Sequence, residues 1–257
     1  MSFSLRHLIA AAALSSTAVL GAGCDLIDAF NNEGSTLVQL MVTHHATPED
    51  GGFPDLTNGD ARTFETDEGW TVSLRAAFVT TSSATLHECN GTSVPFDAFW
   101  GQLPEDITNT DLELNSFAAV EVEASKFCGM TVEYGPYIAS DDMARQHDMG
   151  EHGDKVRGAT YYFEGVASKD GVSVDFELVG NKTAIVELDL STVMHGGPLT
   201  IEADEDFPVD LTLSKTYDRF FDGVDFTGFD PEDMDANIMA VLELESRVAF
   251  GTRVTAE

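Results

Sequence analysis

Basic residues are scarce in this chain: 13 Lys and Arg stand against 45 Asp and Glu, for a formal charge of −32. A surface of that sign repels phosphate backbones and excludes a nucleic-acid partner. Catalytic signatures are missing as well. There is no Gly-x-Ser-x-Gly elbow, no His-Glu-x-x-His pair and no glycine loop to cradle a phosphate, so no enzyme is expected. Close carboxylates carry no signal where acids are so numerous. The three cysteines show no Cys-x-x-Cys spacing. The acids are spread along nearly every segment, which suits solubility in salty surroundings or a field that concentrates cations.

What is present begins with an export signal over residues 1–23: Arg6 and His7, an apolar run from Leu8 to Leu20, then Gly21, Ala22 and Gly23 before Cys24. The run is too short to span a bilayer. A cysteine directly after small residues resembles the lipobox of bacterial lipoproteins, which implies a lipid at Cys24 and a membrane anchor in the cell envelope. Leu20 departs from that pattern by one place. Residues 24–35 read as a polar tether. Cys89 and Cys128 then remain, and an even pair in an exported protein is expected as a disulfide. A thiolate metal site beside His87 is the alternative.

From 36 to 257 the chain reads as one all-β domain, an antiparallel β-sandwich of roughly ten strands with one short C-terminal helix. Val172, Val174, Phe176 and Leu178 alternate with polar residues, as do Ala184, Val186, Leu188 and Leu190, and again Val209, Leu211 and Leu213. Val120, Val122 and Ala124 do the same, and residues 70–79 alternate in part. Turns are marked at Asp170-Gly171, Gly180-Asn181 and Gly196-Gly197-Pro198. The helix is expected after Asp230 as cap and Pro231 as first residue, with Met234, Ile238, Val241 and Leu242 on one face. A strand over 246–250 closes the domain.

The segment 141–154, DDMARQHDMGEHGD, is the densest in potential ligands. His147 and His152 lie five apart, wrong for one helical face but workable in a loop with Gly150 and Gly153. Imidazole together with the thioethers of Met143 and Met149 suits copper, whereas carboxylates alone suit calcium. His44 is expected to assist. His44 and His45 are adjacent on a strand and point to opposite faces, so one of them is expected at the surface. His195 after Met194 reads as a turn residue. The acid clusters lack the order of a calcium loop, and a calcium-stabilised sandwich stays as an alternative.

Three stretches together, LVQLMVTHHA at 37–46, FETDEGWTV at 64–72 and SKTYDRFFDGV at 214–224, resemble the methanobactin-associated, copper-binding MbnP-like periplasmic proteins. The resemblance implies an all-β copper-binding domain, a haem protein as partner, and His44 or His45 as ligand. The residues thus point to an exported lipoprotein that binds copper without catalysis, with an envelope module that binds a protein or glycan as the alternative.

Overall fold

A computed structural model describes residues 34–138, 140, 146–191, 193, 196–202, 208–228 and 230–251, with backbone only at 231–233. The export signal, Cys24 and most of the tether lie outside these residues, as do Met143, Met194 and His195. Residues from Gly34 on form one compact unit.

Fifteen strands are described. They are β1 (Ser35–His45), β2 (Thr57–Asn58), β3 (Ala61–Glu65), β4 (Thr71–Glu88), β5 (Ser93–Pro95), β6 (Asp97–Ala98), β7 (Leu103–Asp106) and β8 (Asn115–Glu123). Then follow β9 (Ser125–Tyr134), β10 (Tyr161–Lys169), β11 (Val172–Gly180), β12 (Ala184–Asp189), β13 (Leu199–Ile201), β14 (Val209–Thr216) and β15 (Arg247–Phe250). Two sheets pack as a β-sandwich. The first runs β15-β14-β1-β8-β6, and the second is built on β4.

Strand β4 is long enough to serve two neighbourhoods. One edge pairs with β10 and then β9, and the other with β3, β7 and β5. A Cβ at Gly165 would collide with the Ser73 carbonyl and the Phe176 ring, so glycine is required where β10 shifts register on β4. The disulfide joins Cys89, just past the end of β4, to Cys128 within β9, and it closes a separation of 39 residues. A loop of that size adds about 4 kcal/mol in the chain-entropy model.

Two departures from the expected sandwich matter for the site. β1 and β14 run parallel, which aligns His44 with Lys215 and His45 with Thr216. In β14 the expected alternation gives way to burial on both faces, Thr212 and Ser214 included. Elsewhere the expected faces hold. Phe176, Leu178, Ala184, Val186, Leu211 and Leu213 are buried, although Val172 and Ala124 at strand ends are exposed.

The core is dominated by rings. Phe163 stacks on Phe220, and Phe176, Phe221 and Phe226 pack with ring centroids 5.2–5.7 Å apart. Helix α2 (Pro231–Glu245) lays Met234, Ile238 and Leu242 into it, with Val241 half-buried at its margin; the Met234 amide donates to the Asp230 carbonyl. A 3-10 turn, Gly150–His152, and the single helical turn α1 (Gly153–Val156) precede β10.

Candidate functional site

Potential ligands collect in two places, one on an outer face of the β4 sheet and one buried between the sheets. The first is a shelf formed by the 146–156 segment. Ala76 and Phe78 of β4 point away from the main core and pack with Tyr162 of β10, Tyr137, Met149 and Val156 in a second apolar cluster. The shelf is pinned by backbone: the Tyr137 amide donates to the Ala159 carbonyl, and the Gly158 amide returns to that of Tyr137, both at 2.9 Å. Gly150 adopts φ +52°, with its amide donated to the Asp148 carboxylate at 3.1 Å.

On this shelf the sequence-predicted residues come together in part. Met149 is 8% exposed, inserted in the ring cluster. The His152 ring lies 5.6 Å from that of Tyr162 and 6.1 Å from that of Phe78, and its nitrogens make no hydrogen bond with any described residue. The His147 ring sits edge-on to Tyr137 at 5.8 Å, with Nε2 3.4 Å from the Trp100 carbonyl. Burial lowers the His147 pKa from its ordinary value, against a smaller opposing pull from that carbonyl, so the ring is neutral at neutral pH. The Tyr137 hydroxyl is buried with no hydrogen-bond partner among the described residues. His152, Met149 and Asp148 line a 270 Å³ cleft together with Asp106, Thr108 and Asn109.

His44 is not on the shelf. It is fully buried, with Nδ1 2.9 Å from Glu105 Oε1 and Nε2 3.3 Å from the Asn109 carbonyl. Protein oxygens therefore stand in front of both nitrogens and occupy the positions an ion would need. Glu105 also contacts the Lys215 ammonium, which lies 5.7 Å over the Tyr134 ring. Burial alone would raise the Glu105 pKa; the Lys215 charge and His44 outweigh it and bring the carboxyl down to about 2. Beside this trio, Arg62 pairs with Asp111 at 3.1 Å, and the Tyr217 hydroxyl donates to the other Asp111 oxygen at 3.1 Å. The network ties β1 and β14 of one sheet to β7 and β3 of the other.

His45 corrects an expectation. It points to the opposite face from His44 but is buried there, because the chain after β1 folds Phe53 over it with ring centroids 4.7 Å apart. Its Nδ1–H donates to the Ala46 carbonyl at 2.8 Å, and burial lowers its pKa. His87 bridges the hydroxyls of Ser93 and Thr131 at 3.0 and 2.6 Å, and the neighbouring cysteines are bridged to each other rather than to a metal.

Glu105, Arg62, Asp111 and Lys215 escaped the sequence reading, although two of them left a trace. Lys215 continues the inward parity of Val209, Leu211 and Leu213, and Arg62 shares its face with Phe64. A base on an inward register requires a buried acid. Nothing comparable marks Glu105.

Among the described residues, no three His, Cys, Asp or Glu side chains form a group able to hold a metal ion, and no helix is long and apolar enough to cross a membrane. No family model matches the chain, and no curated protein matches it. Among solved structures, the chain bears a weak, fold-level likeness to MbnP from Methylosinus trichosporium, at 10% sequence identity and a TM-score of 0.42, over 84% of this chain and 99% of that one.

Proposed function

We propose that the protein is an exported, lipid-anchored component of the cell envelope that binds one copper ion without catalysis, on the shelf, through His152, His147 and the Met149 thioether. The observation that carries this reading is His152: an imidazole with no hydrogen-bonding partner among the described residues, lining the same cleft as Met149. Two nitrogens and a sulfur suit copper better than a hard cation. His147 supports the set because burial keeps it neutral, the form a metal requires. The glycines at 150 and 153 give the loop room to draw its ligands inward. His44 has no part, since Glu105 and Asn109 occupy its ring.

The test is the metal content of the protein purified without chelator, followed by titration with Cu(I), Cu(II) and Ca(II) in salt that screens its charge. The expected result is one copper per chain, lost in His147→Ala/His152→Ala and weakened as pH falls through the histidine range near 6.5. Copper held equally by that variant, or no copper in either, would reject the reading. A second reading, an envelope module that binds another protein, is favoured by Trp100 and Ile138. They are 52% and 73% exposed and flank His147 and Tyr137.

A further inference from the structure

An open sheet ends in edge strands, and each edge leaves a row of backbone N–H and C=O groups unpaired. The first sheet ends in β15, of four residues, and β6, of two; the second ends in β2, of two, and β11, of nine. Short edges offer little to an incoming strand. β11 differs. It pairs with β10 residue for residue from Val172 to Gly180 without a bulge, contains no Pro, Lys or Arg, and has no strand on its other side among the described residues. Its side chains are open to solvent: that of Asp175 is 81% exposed, and Val179 and Val172 are 54% and 47% exposed.

The two faces of β11 specify different halves of a partner. Ser173, Asp175 and Glu177 are exposed on one face. Arg75 reaches Asp175 at 3.4 Å and Lys155 contacts Glu177, but both pairs are exposed and weak in water. On the other face, Val172 and Val174 share the inward parity of buried Phe176 and Leu178, yet they are exposed and half-buried. Apolar surface is thus left at the edge on that side, and acid on the other. A second copy of the chain is disfavoured. Paired antiparallel about Phe176, it would set each Asp175 opposite a Glu177, between chains of formal charge −32.

We infer that β11 is a docking edge for an extended segment of another protein in which Lys or Arg alternates with apolar residues. The segment adds to the sheet beside β11; main-chain hydrogen bonds give affinity, and the alternation fixes which side faces in. Its bases stand over Asp175 and Glu177, and its apolar side chains lie against Val172 and Val174. The inference rests neither on copper binding nor on the shelf.

The probe is a short blocked peptide alternating Lys with Val, titrated into the purified full chain by calorimetry and followed by amide hydrogen exchange. Its counterparts carry Glu in place of Lys, or N-methyl groups at every Val or at every Lys. Alternate amides of a strand face its neighbour, so one N-methylated peptide is expected to lose about tenfold or more in affinity while the other keeps it. The expected result is saturable binding of the Lys peptide, with slowed exchange confined to residues 172–180, and no binding of the Glu peptide. Asp175→Lys/Glu177→Lys is expected to weaken the Lys peptide about tenfold or more, and raised salt to weaken it without abolishing it. No saturable binding, equal affinity of the two N-methylated peptides, unchanged affinity in the double variant, or slowed exchange elsewhere on the acidic surface would overturn the inference. So would dimerisation of the chain alone with slowed exchange at β11, which would assign the edge to a second copy. Should the double variant fail to fold, the two N-methylated peptides decide it.

Discussion

The shelf and the buried network use similar residue types to opposite ends. In the network the ionic groups are matched: Glu105 answers Lys215 and His44, and Asp111 answers Arg62 and Tyr217. On the shelf the polar atoms are left over among the described residues, with an imidazole that makes no hydrogen bond to them at His152 and a lone hydroxyl at Tyr137. The difference follows from position. A charge placed between two sheets must be paired or the fold does not form. The His152 ring, half-buried at the edge of an outer face, has water in reach and can be held in reserve for a ligand. Histidine alone is therefore a poor marker of a metal site in this fold; the lone pair that its neighbours leave free is the better one.

Breaking the network is the most severe way to test this contrast. Glu105→Gln removes the charge that answers buried Lys215, and the expected loss is about 3–5 kcal/mol of stability in denaturant unfolding. Glu105→Leu with Lys215→Met, which removes both charges, is expected to cost far less than the sum of the single changes. A double variant as unstable as that sum would mean that the network contributes more than mutual compensation.

On the shelf the largest effect belongs to packing. Met149→Ala leaves a cavity between Phe78, Tyr137 and Tyr162 and is expected to cost about 2–4 kcal/mol, read in the same unfolding assay. Met149→Leu keeps the volume and is expected to change stability by about 1 kcal/mol or less while removing the sulfur.

Acid separates the regions by pH. The folded pKa of Glu105, about 2, lies below its ordinary value of 4.5, so its contribution is complete above 4.5 and is lost as pH falls towards 2. The folded pKa of His147 lies below its ordinary 6.5, so its neutral ring favours the fold fully above 6.5, and that contribution is lost as pH falls through the lower folded value. Stability measured against pH is expected to show two losses. Glu105→Gln should remove the one in the carboxylate range, and His147→Gln the smaller one nearer neutrality. A profile unchanged by either substitution would remove the electrostatic distinction between the regions.

The smallest stability effect accompanies the largest functional one. His152→Gln touches a half-buried ring that has no hydrogen bond to a described residue to lose, and is expected to shift stability by about 0.5 kcal/mol or less while weakening copper uptake.

Much of the fold was legible because local rules coincide with it. Alternation placed β11, β12 and β14, the Asp230-Pro231 pair placed the start of α2, and the even cysteine pair placed the disulfide. What stayed hidden depends on distant partners. The parallel pairing of β1 with β14 joins residues far apart in sequence, and no local pattern states it. The two-sided burial of β4 was written faintly in Ala76 and Phe78, apolar residues at outward positions, which require a cover that the sequence does not locate. One of His44 and His45 was expected at the surface because adjacent strand residues face opposite sides, and the burial of His45 comes from Phe53, eight residues on, folding back over it. Glu105 lies in a short strand after Pro104, with nothing local to distinguish it from the other acids.

Copper coordination on the shelf is tested most directly by X-ray absorption at the copper edge of the metal-loaded protein, compared with Met149→Leu and with His147→Ala/His152→Ala. The account predicts imidazole scatterers together with one sulfur, the sulfur vanishing in Met149→Leu and copper itself vanishing in the double histidine variant. A copper signal with no sulfur, unchanged in either variant, would contradict it.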